Sequence, residues 1–116
     1  MTHPLKIDYI ELPARDFDAV QAFYEQAFNW VFTDYGEQYR AFCDGSLNGG
    51  FYQSDLSSST DNGAALVVLR SDHLQATRDR IIAAGGKIKV DIFSFPGGQR
   101  FQFIDPNGNE LAVWSE

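Results

Sequence analysis

The side chains best placed to bind a small molecule lie on the first and last predicted strands of this 116-residue chain. Residues 7–13 alternate in polarity, so Tyr9 and Glu11 share one face of a strand, and Trp114 takes the matching face of the last strand. Aromatic rings can stack on a flat ligand. A carboxylate beside them can bind a cation, act as a base with a raised pKa, or pair with Arg100. A purely structural ion pair or an exposed carboxylate is the alternative for Glu11.

A second strand carries both charged and aromatic candidates. Arg100 and Gln102 alternate with Phe101 and Phe103, and alternation alone does not decide which pair faces the cavity. The first pair would orient polar groups of a ligand, whereas the second would make the cavity more aromatic. The complete set of predicted ligand-binding residues is Tyr9, Glu11, Phe51, Tyr52, Arg100 and Trp114.

No arrangement of residues typical of a catalytic site is recognisable in the sequence, so the catalytic residues stay unassigned. His3 lies near the N-terminus and His73 follows a predicted helix cap, so neither occupies a strand face. Glu110 could join Glu11 at a metal, but two carboxylates without a third ligand make a weak site. The pair Gly49-Gly50 lacks the strand–loop–helix setting of a phosphate cradle and predicts a turn or bulge.

Charge, hydropathy and cysteine content exclude several classes of protein. The net charge is −7 and the pI is near 4.6, whereas phosphate binding needs clustered Lys and Arg. We therefore predict no nucleic-acid partner and no membrane partner, with a mild preference for cationic ligands. No segment reaches the roughly 18–20 apolar residues of a membrane span, and no signal peptide is visible. Cys43 is the single cysteine, which excludes an internal disulfide. These features predict a cytoplasmic protein.

The predicted helices and strands that position the candidate residues occur in the same order in both halves of the chain. Asp16 is a good N-cap for a helix that reaches Phe28, and Asp72 begins the corresponding helix of the second half. One strand precedes each helix and three short strands follow it. The predicted strands lie near 7–13, 30–35, 38–43 and 48–53 in the first half, and near 63–69, 87–93, 98–104 and 109–114 in the second.

The repeated order βαβββ predicts an α+β fold in which the helices pack on one face of a curved sheet. A repeat of this size cannot bury its own apolar face, so the two halves must pack together. We predict a single domain over residues 1–116, with module one at about 5–53, a polar linker at 54–62 and module two at about 63–116.

Three segments together resemble the glyoxalase/bleomycin resistance/extradiol dioxygenase superfamily, also called the vicinal oxygen chelate superfamily. They match its first strand with the helix that follows, its Phe-Gly-Trp helix end and its closing turn. The segments are Glu11-Leu12-Pro13 with Asp16 and Phe23-Tyr24, then Phe28-Asn29-Trp30, then Phe103-Ile104-Asp105-Pro106-Asn107-Gly108-Asn109. The resemblance covers the whole chain. It implies two βαβββ modules forming an open half-barrel with helices on the outer face, commonly as a homodimer.

The resemblance also shows where the chain departs from the metal-dependent members of that superfamily. Their ligands lie on the first strand of each half, on a fourth strand and on the last strand. By position these ligands fall on Tyr9, Ala65, the segment 49–52 and Ala112. A catalytic zinc, nickel or iron needs about three ligands from His, Asp, Glu or Cys, and alanine supplies none. We therefore expect no metal and no cofactor.

The sequence predicts a metal-independent small-molecule-binding protein of the glyoxalase/bleomycin-resistance type. We expect a homodimer with a cavity between modules or subunits. The ligand is expected to be flat or apolar, with a cationic or hydrogen-bond-donating group. The alternative is a lyase, isomerase or dioxygenase of the same superfamily whose metal site is rebuilt from other residues.

Overall fold

The structure, a computed structural model, describes residues 4–116 as two consecutive modules of four strands and one helix each. The first module contains β1 (Tyr9–Ala14), α1 (Phe17–Phe28), β2 (Val31–Asp34), β3 (Tyr39–Cys43) and β4 (Asn48–Gln53). The second contains β5 (Val67–Arg70), α2 (Leu74–Ala83), β6 (Lys87–Phe95), β7 (Gly98–Ile104) and β8 (Glu110–Ser115). The predicted α+β fold of two βαβββ modules is confirmed.

Both sheets have the same mixed topology. The strand order is β1-β4-β3-β2 in the first sheet and β5-β8-β7-β6 in the second. In each, the first and last strands of the module are parallel, and the other pairs are antiparallel. The helix of each module lies within the crossover that parallel pairing requires. Neither sheet closes, so β1 and β5 each keep one edge without a strand partner among residues 4–116.

The helix ends follow local chemistry. The side chain of Asp16 accepts a hydrogen bond from the Ala19 N–H, and Asn29 ends α1 with a left-handed φ of 60°, a conformation that Asn tolerates better than most residues. The prediction that Asp72 caps α2 is wrong. His73 is the N-cap residue without a side-chain cap, and its N–H donates to Ser71 Oγ instead. In the described part of the chain, neither helix is long and apolar enough to cross a membrane.

The fifth strand begins later than its sequence pattern predicts. A 3-10 helix occupies Thr60–Asn62 and ends at Gly63, where φ is 82°. The Ala64 N–H then donates to the Ser59 carbonyl. This local hydrogen bonding keeps the backbone of residues 63–66 out of the sheet.

The apolar faces of both sheets and one side of each helix form a single core. Helix α1 contacts both modules. Between ring centroids, Phe23 lies 6.0 Å from Phe103 of β7, and Tyr24 lies 5.6 Å from Phe51 of β4. Trp30 stacks on Tyr24 at 4.5 Å between ring centroids. Edge contacts and offset stacks of this kind add to the free energy of burial. The opposite face of each sheet lies outside this core.

Candidate functional site

Three side chains of the first sheet form a hydrogen-bonded chain on its solvent face. Tyr9 and Glu11 lie on this face of β1, as predicted, and Tyr39 reaches them from β3. The Tyr39 hydroxyl donates to Glu11 Oε2 at 2.8 Å. Because that hydroxyl has only one proton, Tyr9 must be the donor in the 2.7 Å bond between the two phenols. We call these three residues the Tyr39 cluster.

The missing side chain of Gly50 makes room for this cluster. Gly50 lies opposite Glu11 on β1 and opposite Ala41 on β3. A Cβ at Gly50 would collide with the phenol of Tyr39. The prediction of a turn or bulge at this glycine pair is therefore wrong, since both glycines lie inside β4. Glycine within a strand marks a close approach here.

The Tyr39 phenol is protonated at neutral pH. Desolvation raises its pKa above the ordinary value, and the hydrogen bonds to Tyr9 and Glu11 raise it further. Glu11 is exposed and keeps lone pairs that Tyr39 does not use. The cluster therefore presents an ionisable carboxylate whose orientation is fixed by a phenol donor.

Two open clefts border the Tyr39 cluster. One, of about 460 Å³, is lined by Tyr9 together with Val31, Thr33 and Cys43. The other, of about 260 Å³, lies between Glu11 and the linker and includes Tyr52. Each cleft is lined by both polar and apolar side chains.

The second sheet carries a different set of side chains at its solvent face. Strand register aligns Arg70 of β5, Trp114 of β8, Arg100 of β7 and Phe93 of β6 in one row across the sheet. The Arg70 guanidinium lies 5.3 Å from the Trp114 ring, and that of Arg100 lies 5.6 Å from the Phe93 ring. We call these four residues the arginine–aromatic row.

The structure decides the orientation that alternation in β7 leaves open. Phe101 and Phe103 are fully buried in the core, so Arg100 and Gln102 take the solvent face of β7.

The structure does not bring all six predicted ligand-binding residues together. Tyr9, Glu11 and Tyr52 belong to the first sheet, whereas Arg100 and Trp114 belong to the second. No hydrogen bond or ion pair between described residues joins Glu11 to Arg100. The placement of Phe51 among the ligand-binding residues is wrong. Its ring is fully buried, because it lies opposite Leu12 in the β1–β4 register and points with it into the core.

Paired βαβββ modules with open sheets define a class of α+β protein, and the sequence matches one family of that class. The model of the Glyoxalase/Bleomycin resistance protein/Dioxygenase superfamily matches residues 6–113. The chain belongs to this superfamily. No curated protein is a significant sequence match to it.

Solved structures with the same fold are distant in sequence. A glyoxalase/bleomycin resistance protein/dioxygenase family enzyme from Burkholderia phytofirmans PsJN has a TM-score of 0.79 at 19% identity, covering 93% of this chain and 96% of the other. A fosfomycin resistance protein from Listeria monocytogenes has a TM-score of 0.79 at 16% identity, with coverages of 100% and 95%. Lactoylglutathione lyase from Agrobacterium tumefaciens has a TM-score of 0.74 at 20% identity, with coverages of 98% and 96%. At these identities the likeness establishes the fold alone.

The residues at the superfamily's metal positions do not fit a metal. Ala112 is fully buried, Ala65 has no donor side chain, the segment 49–52 has no carboxylate or imidazole, and Tyr9 already donates to Tyr39. Within residues 4–116, no three His, Cys, Asp or Glu side chains lie close enough to hold an ion. His3, a candidate from the sequence, lies outside the described residues. A first-row transition metal would therefore lack the ligands that this fold family uses.

Glu110, the other acidic candidate for a metal site, is tied to the linker. Its Oε1 accepts from Lys89 Nζ at 2.9 Å and from the backbone and side chain of Thr60 at 2.9 and 2.8 Å. Its Oε2 accepts from Gln102 Nε2 at 2.5 Å. Burial alone would raise its pKa, but the hydrogen bonds, led by that from Lys89, outweigh this and lower it to about 2. These bonds occupy both carboxylate oxygens.

We expect Glu110 to make the stability of the protein depend on pH in mildly acidic solution. The ordinary pKa is 4.5 and the folded value is about 2, so the unfolded chain takes up a proton first as the pH falls. The stabilisation is then complete above pH 4.5 and is lost as the pH falls towards 2. Glu110→Gln should lower the free energy of unfolding at pH 7, and its difference from wild type should shrink below pH 4.5. Urea unfolding at a series of pH values measures this.

The matched control is Glu37→Gln, which alters an exposed carboxylate with no ion pair among the described residues. It should follow the wild-type curve. A Glu110→Gln defect of equal size at pH 7 and pH 3 would contradict the assignment.

Proposed function

We propose that this chain is a metal-independent small-molecule-binding protein of the glyoxalase/bleomycin-resistance type. The observation that carries the proposal is the chemistry of the positions where metal-dependent relatives hold ligands. Ala65 and Ala112 have no donor atoms in their side chains, and the segment 49–52 contains no carboxylate or imidazole. Tyr39 fills the space that a side chain at Gly50 would need.

The Tyr39 cluster is the proposed binding site for the polar end of a ligand. Glu11 can accept a hydrogen bond from a cationic or neutral donor, and its orientation is fixed by Tyr39. Tyr9 and Tyr52 are both partly exposed beside it, at 43% and 39%, and offer ring faces for stacking. A flat ligand with a cationic or hydrogen-bond-donating group matches this combination.

The first prediction concerns metal. Purified protein should carry no stoichiometric zinc, nickel, manganese or iron by elemental analysis. Its melting temperature should be the same with and without EDTA, because no described cluster of side chains supplies three ligands. One metal ion per chain, lost with EDTA together with thermal stability, would overturn the proposal and favour a lyase, isomerase or dioxygenase with a rebuilt metal site.

The second prediction tests Glu11 with two probes that differ in charge. Tryptamine carries an ammonium group, whereas tryptophol has the same ring and a neutral hydroxyl. A charge-assisted hydrogen bond contributes about 1.5–3 kcal/mol. Glu11→Gln should therefore weaken tryptamine binding by about tenfold or more and change tryptophol binding much less, as measured by titration calorimetry.

Asp72→Asn removes the same charge at an exposed position of the second module and serves as the control. Tryptamine affinity that falls equally in both variants would show that only the overall charge matters. An unchanged tryptamine affinity in Glu11→Gln would remove Glu11 from the site.

We further propose that the protein is a homodimer. Strands β1 and β5 each have one unpaired edge in the described chain, and exposed edges are usually covered or blocked. Beside β1, the side chains of Leu5 and Ile7 are exposed to solvent, Ile7 by 78%. Apolar side chains next to a free edge favour a second copy of the chain as the occupant.

The dimer is tested by analytical ultracentrifugation at micromolar concentration. Wild type should sediment as a dimer, and Ile7→Lys should shift it towards monomer by placing a charge in the interface. Leu56→Lys, at an equally exposed apolar side chain of the linker, should stay dimeric. A monomeric wild type, or an Ile7→Lys variant as dimeric as wild type, would refute this assembly.

A further inference from the structure

The two arginines of the arginine–aromatic row differ in their charge balance. Arg70 forms an ion pair with Glu116, with 2.5 Å between Nη2 and Oε1. For Arg100, no carboxylate lies within ion-pair distance among residues 4–116. Five of the nine basic residues form ion pairs among the described residues, and Arg100 is one of those that do not.

The guanidinium of Arg100 is oriented by one hydrogen bond, but one of its buried donors has no acceptor. Its Nη2 donates to Gln102 Oε1 at 2.8 Å. Gln102 cannot turn away easily, since its own Nε2 donates to Glu110. The Nε of Arg100 is buried without a hydrogen-bond acceptor among the described residues, and a buried donor left unpaired costs free energy.

One exposed aromatic ring lies against this cation, and two partly buried rings continue from it along the same face. Phe93 lies against the guanidinium and is 39% exposed. Phe95 lies 6.5 Å from Phe93 on one side and 6.5 Å from Trp114 on the other, between ring centroids. Flat ring faces next to a preorganised fork of donors suit a planar aromatic molecule that carries an acidic group.

We propose that Arg100, Phe93 and Trp114 form a second binding subsite, which takes the carboxylate of a planar aromatic molecule. The carboxylate supplies acceptors to the guanidinium, and the rings stack on the rest of the ligand. This subsite lies on the opposite module from the Tyr39 cluster and selects the opposite charge. It goes beyond the proposed function and does not depend on the absence of metal.

The test uses 2-naphthoate and its neutral counterpart 2-naphthamide as probes. The chain has two tryptophans, so a nitrogen–proton correlation spectrum shows two indole signals, which Trp114→Phe assigns. In wild type, 2-naphthoate should shift the Trp114 signal and leave the buried Trp30 signal in place. It should bind about tenfold more tightly than 2-naphthamide, against the net negative charge of the protein.

Arg100→Gln should remove that preference, so that the two probes bind equally, while Arg100→Lys keeps a smaller preference because it retains the charge. Arg80→Gln is the matched control, since it removes an exposed arginine of α2 and should leave the preference intact. If 2-naphthoate leaves the Trp114 signal unmoved in wild type, or binds no better than 2-naphthamide, the proposal is wrong whatever the variants do. Either result would leave the Tyr39 cluster and its metal test untouched.

Discussion

The buried carboxylate of Asp105 is the constraint that holds the two modules in one arrangement. It accepts hydrogen bonds from the Tyr24 hydroxyl of α1 at 2.8 Å and from the backbone N–H groups of Asn107 and Asn109. Burial raises its pKa, and these hydrogen bonds oppose that change. A buried carboxylate without such donors would be strongly destabilising. Its donors come from both modules, so the last turn and α1 must assemble together.

The same turn fixes the end of β1. The side-chain amides of Asn107 and Asn109 both donate to the Pro13 carbonyl at 2.9 Å, and Asn107 Oδ1 accepts from the Arg15 N–H. With the end of β1 fixed, strand alternation sends one set of side chains to the shared core and the other to solvent. This closing turn, one of the three segments that resemble the superfamily, therefore has a structural role. It helps to specify the fold but does not identify the ligand.

Alternation predicts the faces of single strands well and the register between strands poorly. It places Tyr9 and Glu11 on the solvent face of β1 because their apolar neighbours need the core. In β4 it shows that the adjacent residues Phe51 and Tyr52 face opposite sides. It does not show which of them faces the core, since that depends on the register, in which Phe51 lies opposite Leu12. The prediction that both residues line the site is therefore wrong for Phe51, which lies in the core.

Tyr39 was missed for a related reason. Its strand position shows no unusual chemistry, and its role arises only because Gly50 on the neighbouring strand leaves space for the ring. A glycine pair in an otherwise strand-like segment is a signal of close approach. The sequence could have suggested a bulky neighbour there, although not which one. Likewise, no pattern within one strand shows that Glu11 and Arg100 belong to separate sheets.

The chemistry of the Tyr39 cluster favours recognition over proton transfer. A general acid or base works best when its pKa lies near the working pH, and the pKa of Tyr39 is raised away from neutrality. Tyr39 is therefore a fixed donor that orients Glu11, and Glu11 is the acceptor left for a ligand. Among the described residues, no third His, Cys, Asp or Glu lies beside Glu11 to complete a set of metal ligands. An exposed carboxylate oriented by a fixed phenol donor supports the proposal that this face binds the polar group of a ligand.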